Sequence, residues 1–359
     1  MGRMVKIVVG VLLLSGVSLG LLRLPAVQDR LVEKAIQQRM DNSHWEALFA
    51  DDALRLFVCG SSSPFPAEDR ARPCLGVIAG GKYYIVDTGP GSWNRLALLR
   101  IPAERIGGVF ITHFHSDHIG DLGEFNLQSW VAGRQGPLPV FGPPGVERVV
   151  SGYNEAYALD QIYRVEHHGA ALLDPDSGQM QAQVVPLGQE GAASLALEAG
   201  DLRVQMFPVP HEPIAPAVGY RFDYRGRSIL ISGDTRKDLN LARWGQGVDV
   251  LAHEAQNNHI VEQISHVADA LDRPRYAQVM RDIPSYHTTP VEAAEVANAA
   301  GAGLLLLYHL TPPPPNAVAA WAFLRGVREL RPEGTLLARD GQLIELPQDG
   351  SEPQVSMLP

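Results

Sequence analysis

The stretch 107–125, GGVFITHFHSDHIGDLGEF, places three histidines and two aspartates directly after an apolar run. The run GGVFIT has the length and residue types of a buried strand. Side chains two residues apart along an extended chain point the same way, so His113 and His115 face one side. Asp117 and His118 follow where the chain turns. Imidazole and carboxylate are ligands that Zn²⁺ prefers, so the stretch predicts a metal site at the carboxyl end of a strand.

Three more metal-binding side chains follow apolar runs later in the chain. His211 comes after VQMFPVP, Asp234 after SILISG and His309 after GLLLLY. Each of them alone is consistent with an ordinary strand-end histidine or a turn aspartate. Together with the first cluster they complete two ligand shells that share Asp234 as a bridge. The two shells are His113, His115 and His211 for one metal, and Asp117, His118 and His309 for the other.

The hydrophobic pattern alternates between strands and helices along most of the chain. Runs such as KYYIV and LRVQMF favour strands, whereas segments near 145–158 and 290–300 favour helices. This alternation, with several hairpins, predicts an α/β (α+β) sandwich. Because no low-complexity linker interrupts it, 53–348 is predicted as one domain. A helical stem at 26–52 precedes this domain, and a flexible tail at 349–359 follows it.

The N-terminus has the pattern of a targeting segment. Arg3 and Lys6 precede the apolar run 7–22, and Arg23 ends it. A positive head followed by such a run is typical of a secretory signal or a short membrane anchor. Because no small-residue cleavage site follows, residues 1–25 are predicted as an uncleaved anchor rather than a cleaved signal. The protein is then exported, periplasmic or otherwise extracytoplasmic, and tethered to the membrane.

Two features bear on compartment and partners. Cys59 and Cys74 flank the loop GSSSPFPAEDRARP, and they either close it as a disulfide or remain two buried thiols. Thirty Lys and Arg face forty Asp and Glu, which gives a net charge of −10, and the chain has no basic run. Phosphate contacts supply most nucleic-acid affinity and need Lys and Arg, so this charge disfavours nucleic acid as a partner.

The motifs THFHSDH, VPHEP, SGDTR and a late YHL together resemble the metallo-β-lactamase superfamily over roughly 54–346. The resemblance implies a four-layer αββα sandwich with two metals in a groove at the sheet edges, held by the ligands assigned above. GYRFDYRGRSILISGDTR and YHTTPVEAAEVANAAGAGLLLLYHL are similar to the ribonuclease Z / arylsulfatase-like branch. The matching motifs of ribonuclease Z imply a relay of Glu254 and His287 near the leaving group.

The resemblance implies a metal-dependent hydrolase. Two Zn²⁺ ions, or Mn²⁺ or Fe²⁺ in their place, would hold a bridging hydroxide that attacks an ester. The catalytic residues would be Asp117, His287 and Glu254, with His287 giving a proton to the leaving oxygen. Ribonuclease Z carries a basic arm that grips transfer RNA, and the region 164–200 is not basic. We therefore expect a small-molecule phosphodiester or sulfate ester. The alternatives are a ribonuclease Z-type endonuclease, a lactonase and a non-catalytic, membrane-tethered binding module.

The segment 256–285, between the motifs LAHEAQ and YHTTP, has apolar residues at helical spacing. It is either a helical lid over the metal groove or a surface helix packed away from it. The sequence leaves the oligomeric state open, and a homodimer is compatible with it.

Overall fold

The structure, a computed structural model, describes residues 22–50 and 52–358. It divides into two compact units, Met1–Ala47 and Leu48–Pro359. The described part of the first unit contains helix α1 (Pro25–Met40), which has no buried residue. Its first residue is a proline, which fits this position because the missing N–H would have no helical partner. Helix α2 (Ser43–Leu48) follows. Residues 1–21 of the predicted anchor lie outside the described residues, and the predicted domain limits stay a prediction.

Strands and helices alternate through the second unit. The strands are β1 (Ala53–Gly60), β2 (Cys74–Ala79), β3 (Lys82–Val86), β4 (Ile106–Phe110), β5 (Leu138–Gly142), β6 (Met180–Val184), β7 (Ser194–Ala199), β8 (Leu202–Pro208), β9 (Val218–Tyr224), β10 (Arg227–Ile231), β11 (Val250–Gln256), β12 (Leu304–Thr311), β13 (Thr335–Leu337), β14 (Gln342–Pro347) and β15 (Gln354–Met357). The helices are α3 (Ser92–Leu99), α4 (Ser116–Ile119), α5 (Leu122–Val131), α6 (Val146–His168), α7 (Leu239–Trp244), α8 (Asn258–Ala270), α9 (Pro274–Asp282), α10 (Pro290–Ala300), α11 (Ala317–Phe323) and α12 (Val327–Leu330).

The strands form two sheets. The first has the order β15-β14-β1-β2-β3-β4-β5-β6, and the second has the order β13-β12-β11-β10-β9-β8-β7. The sheets pack face to face through a shared apolar core. Phe110 of the first sheet contacts Tyr220 and Phe222 of the second, with ring centroids 5.2 and 5.4 Å apart. Such aromatic pairs add to the free energy that apolar burial already supplies.

Helices cover the outer faces of both sheets. Helix α10 buries Ala293, Val296 and Ala297 in the core outside the second sheet. A capping box formed by Thr289 and Glu292 satisfies the first N–H groups of α10. Helices α5 and α6 form a smaller apolar cluster on the other side of the molecule, where α6 contacts β5 and β6. The order helix, sheet, sheet, helix confirms the predicted four-layer αββα sandwich.

The structure bears on two predictions from the sequence, one about the two cysteines and one about the C-terminal segment 349–359. Cys59 is the last residue but one of β1, and Cys74 begins β2. The two form a disulfide, so the choice between disulfide and thiols is resolved. The segment 349–359 was expected to be a flexible tail, but its residues 354–357 form strand β15. This strand pairs antiparallel with β14, whose edge would otherwise present unpaired backbone groups.

Candidate metal centre

The first half of the site follows strand β4 in the first sheet. After β4 the chain carries His113 and His115, and then turns into the one-turn helix α4. Asp117 and His118 lie in this helix and are buried. His113 is also buried, whereas His115 is partly exposed. The turn therefore lets neighbouring residues of one short motif approach a common point from different directions.

The second half of the site follows strands of the second sheet. His211 comes after β8, Asp234 after β10, and His309 lies within β12. Pairing between β11 and β12 shifts so that His309 has no partner in the ladder, which is a β-bulge. His309 has a positive φ of 48°. This conformation costs a residue with a side chain about 1–2 kcal/mol. The bulge turns the imidazole toward the other ligands at the expense of local strain.

The carboxylate of Asp234 lies at the centre of the site. Its Oδ2 atom is 3.2 Å from Nε2 of His309 and 3.3 Å from Nε2 of His118. The same oxygen is 3.8 Å from Nε2 of His113 and 4.0 Å from Nε2 of His211. Four imidazoles from both sheets thus surround one carboxylate oxygen, at the position predicted for the bridging ligand.

Gly233 allows Asp234 to reach this position. Gly233 has a φ of +64°, and a Cβ atom there would lie 2.4 Å from the carbonyl oxygen of Val218 and 3.1 Å from Cβ of Thr112. Only glycine tolerates both the backbone conformation and the close approach. Glycine is therefore required for steric reasons in the SGD motif, because it lets the end of β10 approach Val218 and Thr112 closely.

Ligand atoms of the described residues form four groups in which the atoms lie within 4.8 Å of one another, and two of these groups are the predicted ones. The other two are His113, His118 and Asp234, and Asp234, His287 and His309. The predicted groups are His113, His115 and His211, and Asp117, His118 and His309. We call these six residues and Asp234 the ligand cluster. Several of its atoms are buried but make no hydrogen bond: Asp117 Oδ2, His118 Nε2, His211 Nε2, Asp234 Oδ1 and His309 Nε2. Unpaired buried polar atoms are costly, and a cation would satisfy them. The residues fit a divalent metal site, and zinc is the typical metal for this donor set.

Asp87 supports the ligand cluster from behind and is not among the site residues predicted from the sequence. Its Oδ2 atom is 2.8 Å from Nδ1 of His118. The hydroxyl of Thr112 also donates to Oδ2, at 2.8 Å, and the backbone N–H of Thr112 donates to Oδ1, at 2.9 Å. A carboxylate behind a metal-binding imidazole fixes the ring orientation and the tautomer. A signal was available, because Asp87 directly follows the apolar strand KYYIV, just as Asp234 follows SILISG.

Burial and charge together set the protonation of the ligand cluster. Burial lowers the pKa of His113 well below its usual value, and lowers the pKa of His211 to about 4. Burial also disfavours a charge on His118, but the carboxylates of Asp234 and Asp117 outweigh it and raise the pKa of His118 well above its usual value. Neutral imidazole is the form that binds a cation, so His113 and His211 need not lose a proton first.

Glu254 and His287 lie beside the ligand cluster as a hydrogen-bonded pair. Nδ1 of His287 is 2.8 Å from Oε1 of Glu254. The backbone N–H groups of Thr235 and Thr288 donate to the same oxygen, at 3.0 and 3.3 Å. Burial raises the pKa of Glu254 well above its usual value and lowers the pKa of His287, so both groups favour their uncharged forms. The pair engages Nδ1 and leaves Nε2 of His287 available to a substrate.

A pocket of about 420 Å³ opens beside the ligand cluster. Asp117, Asp234 and His287 line its polar side. We call its other side the apolar wall: Pro64, Phe65 and Pro66 from the loop after β1, and Tyr276, Val279, Met280 and Ile283 from α9 and the turn that follows. Helix α9 belongs to the segment 256–285, for which the sequence left two alternatives. Part of that segment therefore borders the metal site rather than packing away from it.

Comparison with known proteins identifies the family. Residues 82–310 match the model of the β-lactamase superfamily domain. The chain is 34% identical over 262 residues to ribonuclease Z of Mycobacterium bovis (strain BCG / Pasteur 1173P2), which covers 72% of this chain and 86% of the relative. This chain belongs to the ribonuclease Z family of the metallo-β-lactamase superfamily. Ribonuclease Z of Mycobacterium sp. (strain KMS) is 33% identical over 271 residues, which covers 75% of this chain and 88% of that relative.

Solved structures agree on the fold. The short form of human tRNase Z aligns with a TM-score of 0.58 and 19% identity, over 82% of this chain and 99% of that one. The metallo-β-lactamase fold protein YhfI from Bacillus subtilis aligns with a TM-score of 0.57 and 18% identity, over 81% of this chain and 99% of that one. At this identity the likeness concerns the fold alone.

The family corrects the prediction about partners. The net charge of −10 disfavours nucleic acid, yet relatives that match most of this chain are ribonucleases, so that prediction is wrong. Net charge describes the whole surface, whereas binding depends on the field near the site, where bound cations also contribute. The relatives likewise favour the ribonuclease Z alternative over a small-molecule phosphodiester or sulfate ester.

Most of the predicted membrane anchor lies outside the described residues. In the part of the chain that the structure describes, no helix combines the length and apolar character needed to cross a bilayer.

Proposed function

We propose that this protein is a metal-dependent endoribonuclease of the ribonuclease Z type, which hydrolyses a phosphodiester bond in RNA. The convergence of the ligand cluster on Oδ2 of Asp234, next to the Glu254–His287 pair, is the observation that carries the proposal. The name and identity of the Mycobacterium relatives support RNA as the substrate class.

Two Zn²⁺ ions are the proposed occupants of the site, and Mn²⁺ or Fe²⁺ would also suit imidazole and carboxylate ligands. Asp234 would contact both ions. The other ligands would be His113, His115 and His211 for one ion, and Asp117, His118 and His309 for the second. Bound cations of this kind make water nucleophilic near neutral pH and neutralise charge that develops on a phosphate.

His287 is the proposed donor of a proton to the leaving oxygen. As an uncharged acid, Glu254 would donate to Nδ1 of His287, which lies 2.8 Å from Oε1, so the ring is oriented and its own proton lies on Nε2, which can donate it. A ribose oxygen leaves poorly as an anion, and proton donation to it typically contributes about 10²–10⁴-fold to the rate. Asp117 also lines the pocket, and its Oδ2 atom makes no hydrogen bond, so it is placed to assist.

Two exposed arginines at the start of α9 would help RNA to bind despite the acidic chain. Arg273 and Arg275 lie at the start of α9, the helix that carries part of the apolar wall, and both are exposed. Arginine near a catalytic groove offers contacts to phosphate groups, which supply much of the affinity for RNA.

The test is a substrate panel on zinc-loaded protein. The substrates are a transfer RNA extended at its 3′ end, bis(p-nitrophenyl) phosphate and p-nitrophenyl sulfate. We expect cleavage of the RNA and of the nitrophenyl phosphodiester, and no turnover of the sulfate ester. Sulfate hydrolysis in a preparation that leaves RNA intact would overturn the proposal.

Export to an oxidising compartment is a further part of the proposal. The Cys59–Cys74 disulfide and the positive head and apolar run at the N-terminus support it. Fractionation of cells that produce the full chain, with thiol labelling after denaturation, tests it. We expect protein outside the cytoplasm with both cysteines protected. A cytoplasmic protein whose thiols react would contradict export.

A further inference from the structure

The pocket beside the ligand cluster has a chemical character that metal catalysis alone does not need. Its volume of about 420 Å³ lies in the usual range for small-ligand sites. One side carries the charged and metal-binding groups, while the other is the apolar wall. A phosphate group would lie against the first side. The second side must face a part of the substrate that is flat or apolar.

Helix α9 and the turn after it contribute four apolar side chains to this pocket, and two of them are exposed. Tyr276, Val279, Met280 and Ile283 follow the i, i+3, i+4, i+7 spacing of one helix face. Tyr276 is 45% exposed and Val279 is 46% exposed, although both line the pocket. Phe65 reaches the same pocket from the loop after β1. The rings of Phe65 and Tyr276, together with that of Tyr286, therefore border the space next to the proposed reaction centre, and aromatic rings stack well on nucleobases.

Gln256 adds one specific polar group to this apolar environment. Its side chain is wholly buried and also lines the pocket. The amide nitrogen donates to Oδ1 of Asn258 at 2.8 Å, whereas Oε1 finds no hydrogen-bond partner among the described residues. The side chain lies on the same face of β11 as Glu254, because residues two apart on a strand point the same way. A buried acceptor without a donor is costly, and a ligand that supplies the donor removes that cost.

We propose that this pocket binds the base of a nucleotide next to the scissile phosphate, and that Gln256 selects bases with an amino group where uracil and guanine have a carbonyl oxygen, namely the 6-amino group of adenine and the 4-amino group of cytosine. The inference rests on the proposed function, because it requires an RNA substrate. The base would pack between Phe65 and Tyr276, and its exocyclic amine would donate to Oε1 of Gln256. Adenine and cytosine present an amine at the relevant edge. Uracil and guanine present a carbonyl oxygen there, which would face Oε1 without a proton between them.

Calorimetry with nucleoside 5′-monophosphates tests the pocket independently of RNA cleavage. On zinc-loaded protein we expect AMP and CMP to bind about tenfold more tightly than UMP and GMP, the effect of one buried hydrogen bond. Gln256→Leu removes the acceptor and should bring the four affinities together. Gln278→Leu is the matched control, because Gln278 is an exposed glutamine on α9 and should leave the preference intact. Circular dichroism and metal content establish that each variant is folded and loaded.

A second variant separates stacking from base selection. Tyr276→Ala should weaken all four nucleotides alike, by about tenfold, because stacking does not depend on the base edge. Equal affinities in the wild type, or a preference for AMP over UMP that survives Gln256→Leu, would overturn the inference. Because Tyr276 is partly exposed, its variant remains informative even if Gln256→Leu does not fold.

RNA cleavage distinguishes this inference from the proposed function. Short RNAs that differ only in the base on either side of the cleaved bond should show the same preference for adenine and cytosine on one side. If RNA is not cleaved but AMP still binds through Gln256, the ribonuclease proposal fails and the pocket stands. If RNA is cleaved without regard to the neighbouring bases and the nucleotides bind equally, the pocket assignment fails and the ribonuclease proposal stands.

Discussion

The ligand cluster and the apolar wall contribute to the lining of one pocket and are built in opposite ways. The ligand cluster is buried, polar and held at strand ends from both sheets. The apolar wall is partly exposed, and it comes from a loop and from helix α9. Strand ends hold metal ligands with the rigidity that catalysis needs, whereas appended segments can vary without disturbing them. The difference implies that the first region sets the reaction and the second sets which substrate enters.

Removing the central carboxylate should have the largest effect. We expect Asp234→Ala to lose at least one metal per chain and to lower turnover of bis(p-nitrophenyl) phosphate by on the order of 10³-fold or more. Metal stabilisation of the transition state is worth several kcal/mol, and each ~1.4 kcal/mol is tenfold. Metal analysis and kinetics measure this, with Asp176→Ala in an exposed turn as the control. Full metal content with normal turnover would remove Asp234 from the ligand cluster.

Substitution of His287 should affect RNA cleavage and the hydrolysis of bis(p-nitrophenyl) phosphate to different extents. We expect His287→Ala to slow RNA cleavage by about 10²–10⁴-fold, because the ribose oxygen needs a proton. Hydrolysis of bis(p-nitrophenyl) phosphate should change far less, since nitrophenolate leaves readily without one. The exposed His168 supplies a control variant, His168→Ala. Equal losses on both substrates would assign His287 to metal binding or structure instead of proton donation.

The buried His253, which precedes Glu254 on β11, should make the free energy of unfolding depend on pH. His253 is wholly buried, and burial lowers its pKa from 6.5 to about 4. The unfolded chain therefore takes up a proton near pH 6.5 that the folded chain takes up only near pH 4. This stabilisation is complete above pH 6.5 and is lost as the pH falls toward 4, by about 3 kcal/mol in total.

Denaturant unfolding of metal-free wild type and His253→Gln between pH 4 and 7 measures this term. The difference in the free energy of unfolding between the two proteins should shrink as the pH falls. Parallel curves would show that His253 does not titrate as its burial implies.

Asp87 tests whether the ligand cluster depends on its outer support. We expect Asp87→Asn to weaken zinc binding by about 10–100-fold, because His118 loses the carboxylate that orients it. Competition with a coloured chelator reports the affinity. An unchanged affinity would mean that Thr112 and burial alone hold the ring of His118.

The smallest effect is expected in the apolar wall. Val279→Ala removes about two methylene equivalents of partly exposed surface, worth about 1 kcal/mol, and should raise KM for RNA about fivefold. Metal content and kcat should not change. Val267→Ala is the control, since Val267 is exposed on the adjacent helix α8 and does not line this pocket. A fall in kcat in Val279→Ala would show that the apolar wall affects the reaction itself and not only which substrate enters.

The ligand cluster is predictable from the sequence because His113, His211, Asp234 and His309 each follow an apolar run, and because all seven side chains suit metals. Asp87 also follows an apolar run, but no histidine lies near it in the sequence, so the local pattern indicates an ordinary turn aspartate. The spacing of apolar residues in 256–285 predicted an amphipathic helix. That periodicity shows that one helix face is apolar, but it does not show what the face contacts.

By itself the sequence determined the donor types, their placement at strand ends and the layered α/β fold, because these depend on side-chain chemistry and on the periods of strands and helices. Only the tertiary structure decided that residues as distant as His113 and His309 meet around one oxygen of Asp234. It also decided that a bulge turns His309 inward and that Gln256 lies buried without a donor. These outcomes depend on strand order and on the packing of two sheets, which no local pattern in the chain specifies.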